Sequence, residues 1–205
     1  MSGSEMPRSE RQNEPRSEWS AEQEIPLAAG VDGEAAGARW FAVWTRSRQE
    51  KVSASMLETL GVEHFLPLKS ERRQWSDRLQ TVTVPLFSGY VFVRVSLPSE
   101  DKLRVLKVPG IAGFVGNSRG PLPIPDSQVE AVRAVVERGI DCTVHPLLEE
   151  GDRVRVVHGA LAGVEGRLTR VGSGARLLIS IELIHRSMSV SIARGDVVPI
   201  AERVA

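Results

Sequence analysis

Cysteine is nearly absent from this chain of 205 residues, because Cys142 is the only one. A single cysteine can form neither an intramolecular disulfide nor a cysteine-rich metal site, and its scarcity fits a reducing compartment. Long apolar runs are also missing, since no stretch approaches the roughly 20 residues that span a bilayer. The first thirty residues contain no apolar run of the kind found in a secretion signal. We therefore expect a soluble, cytoplasmic protein that does not bind membranes.

Sequence signatures of enzymes are missing as well. The chain has no GxxxxGK(S/T) phosphate loop, no GxSxG nucleophile turn and no HExxH metal motif. None of its four histidines lies at metal-ligand spacing from another, and they are His64, His145, His158 and His185. Cys142 has no obvious histidine partner that would make it a nucleophile. We expect neither an enzyme nor a bound metal or cofactor.

The net charge is zero, but the charges are unevenly distributed. Residues 1–38 hold eight acidic and three basic side chains, whereas residues 39–139 hold ten acidic and fifteen basic ones. Residues 140–205 hold eight of each sign. A positive middle segment is compatible with a position near phosphates. An ordinary solvated surface explains the same excess equally well.

Ordered structure is predicted to begin at residue 39. Residues 1–38 are rich in Ser, Glu, Pro, Gly and Ala and lack a sustained apolar period, which predicts a disordered tail. Over residues 39–139, short β-branched and aromatic runs alternate with helical patterns. This alternation predicts one sheet with helices packed on one side of it.

The first helix of this domain is predicted to follow a strand over residues 40–45. Ser47 and Glu50 have the spacing of a capping box, in which each side chain bonds the backbone of the other. An apolar face at helical spacing is predicted to point inward. It comprises Val52, Met56, Leu57 and Leu60.

A β-hairpin is predicted from strands over residues 64–75 and 78–84, with Ser76 and Asp77 between them. Near its tip the sequence concentrates basic and aromatic side chains, namely Arg72, Arg73, Trp75 and Arg78. Charges at a hairpin tip are commonly just solvated. The alternative is contact with phosphates together with an aromatic ring for stacking.

Six aromatic residues admit two interpretations, as sheet core or as an apolar surface that docks a partner helix. They are Trp40, Phe41, Trp44, Phe65, Phe87 and Tyr90. In a strand, Trp40 and Trp44 share one face while Phe41 lies on the other. Because both faces are apolar, we expect helices to cover one face and something else to cover the second.

The C-terminal residues follow a different pattern. Residues 140–149 are interpreted as a linker, and residues 150–205 show period-two alternation punctuated by glycines. Short strands with glycine turns over so few residues predict a small β-barrel.

Several segments, in the same order, resemble the NusG family of transcription factors. They read WFAV at 40–43 with QEK at 49–51, PLFSGYVFV at 85–93, VPGIAGFVG at 108–116, LPIPD at 122–126, and EGDRVRV with GALAGVEG at 150–156 and 159–166. The resemblance covers residues 39–200. It implies an α+β protein, in which an α/β sandwich, the NusG N-terminal (NGN) domain with an antiparallel sheet and three helices, precedes a small SH3-like KOW β-barrel.

The resemblance also implies partners. The NGN domain of the family binds the clamp helices of the largest catalytic subunit of RNA polymerase through an apolar patch. We assign Phe87, Tyr90, Trp44 and Phe65 to this patch. In the family the NGN domain also lies beside the non-template DNA strand. The candidate residues for contact with this strand are Arg72, Arg73, Trp75, Arg78 and Lys107. The KOW domain recruits ribosomal protein S10 or Rho, and Leu161 and Val164 occupy the matching loop. We expect a monomer.

Departures from the family pattern point to a subtype. Ser88 replaces a proline, Lys107 and Val108 stand where some members carry an Asn-Thr pair, and Leu161 and Val164 replace aromatic residues. The segments RRQWSDR at 72–78 and LIHRS at 183–187 look like those of specialised UpxY-type antiterminators of polysaccharide operons. We therefore favour an operon-specific antiterminator, with a general NusG or a ribosomal or RNA-binding KOW protein as the alternatives.

Overall fold

The computed structural model describes residues 37–75, 78–97, 100–171 and 174–200. Nearly all of the predicted tail and the predicted turn at residues 76 and 77 lie outside these ranges. For Arg73 and Trp75 only the backbone is described. Within the described residues, no helix is long and apolar enough to cross a membrane.

An antiparallel sheet organises the N-terminal half. Its strands run in the order β2-β5-β1-β6, and β9 also pairs with β1. They are β1 (Arg39–Thr45), β2 (Glu63–Phe65), β5 (Tyr90–Val95), β6 (Ile111–Phe114) and β9 (Pro123–Ile124). Two separate hairpins are formed by β3 (Leu68–Trp75) with β4 (Arg78–Pro85), and by β7 (Gly116–Asn117) with β8 (Gly120–Pro121). The helices are α1 (Glu50–Thr59), α2 (Glu100–Leu106) and α3 (Asp126–Glu137).

Helices cover both faces of this sheet, so the prediction of helices on one side was wrong. Phe41 and Val43 of β1 pack with residues of α1 and α2, such as Leu57 and Val105. On the other face, Trp40 and Ala42 pack in the cluster that holds the apolar residues of α3, namely Val129, Ala131, Val132 and Val135. Alternation along an apolar strand gives each face its own core, and α3 supplies the cover that the second face requires.

Helix α1 also differs from its prediction. It begins at Glu50 without a side-chain cap, so Ser47 and Glu50 form no capping box. Only Leu57 of the predicted inward face is buried, while Val52, Met56 and Leu60 are exposed. The helix instead buries Ser53, whose hydroxyl donates to the Pro109 carbonyl at 3.1 Å, together with the carboxylate of Glu50.

A six-stranded antiparallel sheet forms the C-terminal half, in the order β10-β14-β13-β12-β11-β15. The strands are β10 (Cys142–Pro146), β11 (Asp152–Val156), β12 (Glu165–Val171), β13 (Gly174–Ile181), β14 (Arg186–Ile192) and β15 (Val197–Pro199). Two short 3-10 helices connect them, η1 (Glu182–Ile184) and η2 (Arg194–Asp196). One apolar face is buried and is formed by Val154, Val156, Leu177, Ile179, Ile181, Met188 and Val190.

Strand β10 occupies half of the segment 140–149 that was predicted to be a linker. Cys142 pairs with Val190 and Val144 pairs with Met188 across the β10–β14 ladder. Cys142 and Val144 pack against the sheet's apolar cluster, so the short alternation of these residues reflects a strand. Burial raises the pKa of the Cys142 thiol, while Lys69 opposes the shift. This favours the protonated, less reactive form.

The two halves share one continuous apolar cluster that includes α3. Residues of the second sheet face, of α3 and of the C-terminal sheet all belong to it, and α3 contacts both β1 and β13. The Glu182 backbone N–H donates to Oε1 of Gln128 at 3.3 Å across this contact. Helix α3 therefore packs between the N-terminal sheet and the C-terminal sheet.

Candidate functional site

The four residues assigned to the polymerase-binding patch take part in three ring contacts at one region of the N-terminal sheet. Trp44 and Tyr90 face each other across the β1–β5 ladder with ring centroids 4.6 Å apart. Phe65 and Phe87 each contact Phe92, at centroid distances of 6.3 and 6.2 Å. The structure thus brings all four residues into the same part of the sheet.

These aromatic side chains differ greatly in exposure. Trp44 is 36% exposed, whereas Phe87 is 2% exposed and Tyr90 is 6% exposed. Phe65 is half-buried. Trp44 and Phe65 are therefore the accessible members, and Phe87 supports the others from inside.

Tyr90 lies close to the C-terminal sheet. Burial raises the pKa of its phenol, and the guanidinium of Arg186 in β14 opposes this shift. Arg186 therefore lies within roughly 10 Å of the phenol, because charges farther apart than a Debye length are largely screened. The C-terminal sheet consequently borders the aromatic patch.

A buried carboxylate holds the turn that carries Phe87 and Tyr90. Glu50 of α1 is 4% exposed, and its Oε1 accepts the backbone N–H of Gly89 at 2.7 Å. The Ser88 hydroxyl approaches the same oxygen at 3.5 Å. The Gly89 carbonyl in turn accepts the backbone N–H of Thr45 at 2.9 Å. Sequence analysis missed this role of Glu50, because the two partners lie 39 residues apart.

Arg133 of α3 is a second residue that sequence analysis missed. Its guanidinium lies 5.4 Å from the Trp40 ring centroid and 5.0 Å from that of Phe65. A cation over two aromatic faces is stabilising by about 0.5–2 kcal/mol per contact. Arg133 therefore fixes the orientation of Phe65 at the edge of the patch. An arginine within the α3 pattern gives no sequence signal for this contact.

The basic hairpin does not present its arginines on one face. Arg78 pairs with Trp75 and Arg72 pairs with Thr81 in the β3–β4 ladder. Because Arg78 and Thr81 are three residues apart on one strand, the register places Arg72 and Arg78 on opposite faces. Both side chains are exposed. Lys107 is exposed as well and follows α2, and its neighbour Val108 is buried.

The loop between β11 and β12 buries both residues predicted to contact a partner of the KOW domain. Leu161 is 5% exposed and Val164 is 9% exposed, and both belong to the apolar cluster. The loop is tied by backbone bonds from Val164 N–H to Leu161 O at 3.0 Å and from Gly163 N–H to Val156 O at 2.8 Å. In this arrangement the two side chains stabilise the loop.

Among the residues with described positions, no group of three or more acidic, histidine or cysteine side chains could hold a metal ion.

Comparisons with known proteins agree with the resemblance seen in the motifs. Residues 38–133 match the family described as transcription termination factor nusG. The transcription termination/antitermination protein NusG of Lactococcus lactis is 27% identical over 168 residues, which cover 75% of this chain and 88% of that protein. The same protein of Thermus thermophilus is 26% identical over 179 residues, covering 78% of this chain and 97% of that protein.

A similar solved structure is that of NusG from Thermotoga maritima. It is 21% identical, covers 80% of this chain and 98% of its own, and superposes with a TM-score of 0.48. Residues 38–133 thus resemble the family described as transcription termination factor nusG, and the chain is distantly similar to NusG proteins along most of their length.

Proposed function

We propose that this protein is a transcription termination/antitermination factor that binds RNA polymerase through its N-terminal domain. The observation that carries the proposal is the alignment with NusG proteins along most of their length. In this proposal residues 39–139 form the NGN domain. The KOW domain follows and includes β10, so it begins at Cys142. The protein then acts in the cytoplasm as a monomer.

The polymerase surface in this proposal is the aromatic patch of Trp44, Phe65, Phe87 and Tyr90. Trp44 projects at the end of β1, backed by the Tyr90 ring, and Glu50 holds the adjacent turn. A rigid, partly exposed aromatic ring on a sheet is suited to anchoring an apolar helix face. The proposed partner is the clamp-helix pair of the largest catalytic subunit.

Replacing Trp44 tests this surface. We expect Trp44→Ala to weaken capture of core RNA polymerase by the full-length protein at least about tenfold, as expected for a central aromatic contact. Leu103→Ala is the matched control, because Leu103 is a 59% exposed apolar residue on α2. Affinity is measured by titrating polymerase against immobilised protein. Equal binding by wild type and Trp44→Ala would show that the patch is misassigned.

The basic hairpin is proposed to contact the non-template DNA strand. We expect Arg72→Gln and Arg78→Gln each to weaken binding to a single-stranded DNA, and each to reduce the slope of log affinity against log salt by about 0.7. Arg119→Gln, an exposed arginine on another hairpin, should change neither value. Because Arg72 and Arg78 lie on opposite faces, loss of one contact without the other would identify the face that meets DNA. If both variants keep the wild-type slope, the hairpin does not contact phosphates.

We further propose that the factor is an operon-specific antiterminator. One supporting feature is Ser88, which stands where the family has proline and whose hydroxyl donates a hydrogen bond to Glu50. The other is the pair of buried aliphatic residues Leu161 and Val164, which stand where the family has aromatic residues. Neither of these two aliphatic side chains offers an exposed ring to S10 or Rho. The alternatives are a general NusG that acts with Rho or S10, and an RNA-binding KOW protein.

The subtype is tested by transcription in vitro with purified polymerase and Rho. An operon-specific factor should leave Rho-dependent termination on an unrelated template unchanged. A clear stimulation of Rho would assign the chain to the general NusG role. Tight RNA binding without any affinity for polymerase would favour the RNA-binding alternative.

A further inference from the structure

A depression of 340 Å³ lies on the face of the C-terminal sheet opposite to its apolar core. Along β13 the residues Leu177, Ile179 and Ile181 belong to the core, and Arg176 alternates with them to reach the other face. Ser189 of β14 is next to Met188 and Val190 of the core and shares the face of Arg176. The depression therefore lies on the other face of this sheet from the apolar cluster.

The centre of the depression is a buried serine with two polar neighbours. Ser189 is 2% exposed. Its hydroxyl accepts a hydrogen bond from Nη1 of Arg176 at 3.3 Å and lies 2.9 Å from Nε2 of His145. Three strands thus contribute to one hydrogen-bonded group, with His145 from β10, Arg176 from β13 and Ser189 from β14. These contacts hold the arginine and the histidine in place before any ligand binds.

The chain that follows β10 forms a wall of the depression. The backbone N–H of Leu148 donates to the Ser187 hydroxyl at 3.0 Å, and this hydroxyl also lies 2.7 Å from Oγ of Ser180. The Leu147 N–H donates to the His185 carbonyl at 3.0 Å. Ser187 is fully buried, so the wall is fixed by satisfied polar groups.

The lining is rich in donors and has an excess of positive charge. The lining includes the guanidinium groups of Arg170 and Arg176 and the imidazole of His145, and Glu150 is the one acidic residue among its described members. Within the described ranges, neither arginine has a carboxylate at salt-bridge distance. Threonine hydroxyls from Thr143 and Thr169 complete the lining. Fork-shaped guanidinium donors combined with hydroxyl groups suit the oxygen atoms of a phosphate.

We propose that this depression binds the phosphodiester backbone of a single-stranded nucleic acid. The inference rests on the proposed function, because a factor bound to RNA polymerase works close to single-stranded DNA and to the emerging transcript. The described lining residues include no Phe, Tyr or Trp ring on which a base would stack, and their guanidinium and hydroxyl groups suit phosphate oxygens. Binding is therefore independent of sequence and depends on salt.

The test measures binding of full-length protein to labelled single-stranded RNA and to DNA of the same sequence across a salt series. We expect Arg170→Gln and Arg176→Gln each to weaken binding roughly three- to tenfold and to lower the salt slope by about 0.7. Arg194→Gln is the matched control, because Arg194 is exposed on η2 and does not line the depression. Inorganic phosphate should compete only weakly, whereas an acidic polypeptide such as polyglutamate should not compete.

Two results from the control and competition measurements would overturn the inference, and an unchanged salt slope is a third. One is an equal loss of binding in Arg194→Gln, which would reflect net charge alone. The other is competition by polyglutamate, or binding of inorganic phosphate without binding of either oligonucleotide, at the same site. Polymerase capture by Arg170→Gln and Arg176→Gln should match wild type. Retained capture with an unchanged salt slope would therefore sink this inference and leave the proposed function standing.

Discussion

Replacing Glu50 with alanine is expected to lower the free energy of unfolding by about 2–3 kcal/mol, since a buried backbone donor then loses its charged acceptor. The carboxylate of Glu50 is 4% exposed and accepts the Gly89 N–H at 2.7 Å. Alanine would leave this N–H without an acceptor and open a void beneath the turn. The turn would loosen, and with it the positions of Phe87 and Tyr90. We therefore expect weaker polymerase capture in addition to the lower stability, which denaturant titration measures.

Two further substitutions show which property of Glu50 matters. Glu50→Gln keeps an oxygen that can accept from Gly89, so it should lose only about 1 kcal/mol, the difference between charged and neutral hydrogen bonds. Glu58→Ala removes an exposed carboxylate from the same helix and should change stability by less than about 0.5 kcal/mol. If Glu50→Ala were as stable as Glu58→Ala, the carboxylate would not anchor the turn.

Hydrophobic periodicity predicted the existence of α1 but not the face that it buries. The pattern of Val52, Met56 and Leu60 placed those residues inward, yet all three are exposed. The helix is turned so that Ser53 and Glu50 reach the backbone at Pro109 and Gly89. Polar side chains whose hydrogen bonds are satisfied can be buried at little cost. A period count treats them as surface residues, because their acceptors and donors come from distant segments.

Strands were easier to predict where both neighbours of an apolar residue were polar. The alternation of Ser187, Met188, Ser189 and Val190 predicted β14, and the structure confirms it. The same short alternation in β10 was taken for a linker, since five residues give too little pattern. At the candidate site, the aromatic residues were found from motifs. Arg133 was not, because its contact with Phe65 forms only once α3 covers the sheet.

Gly151 is expected to be the least replaceable glycine of the C-terminal sheet. Its φ is 103°, and a Cβ atom placed there would penetrate the Leu168 carbonyl of the adjacent β12. Alanine therefore has both a strained backbone, at about 1–2 kcal/mol, and an overlap with backbone atoms that a rotamer change cannot relieve, at about 1–3 kcal/mol. We expect Gly151→Ala to lower the free energy of unfolding by about 3 kcal/mol. This requirement gives a physical reason for the glycine in the EGDRVRV segment.

Two other glycines separate the contributions of strain and overlap. Gly163 has a φ of 91° but open space where a Cβ would lie, so Gly163→Ala should lose only the roughly 1–2 kcal/mol of backbone strain. At Gly195 the φ is not positive and the space is also open, so alanine should be neutral or stabilising by up to about 1 kcal/mol. Thermal unfolding followed by circular dichroism ranks the three variants. We expect the loss of stability to be largest for Gly151→Ala, smaller for Gly163→Ala and smallest for Gly195→Ala. A Gly151→Ala protein no less stable than Gly163→Ala would show that β11 and β12 do not approach closely at this position.

Because the proposed nucleic-acid depression lies on this same sheet, Gly151→Ala should weaken oligonucleotide binding along with stability, whereas Gly195→Ala should leave binding unchanged.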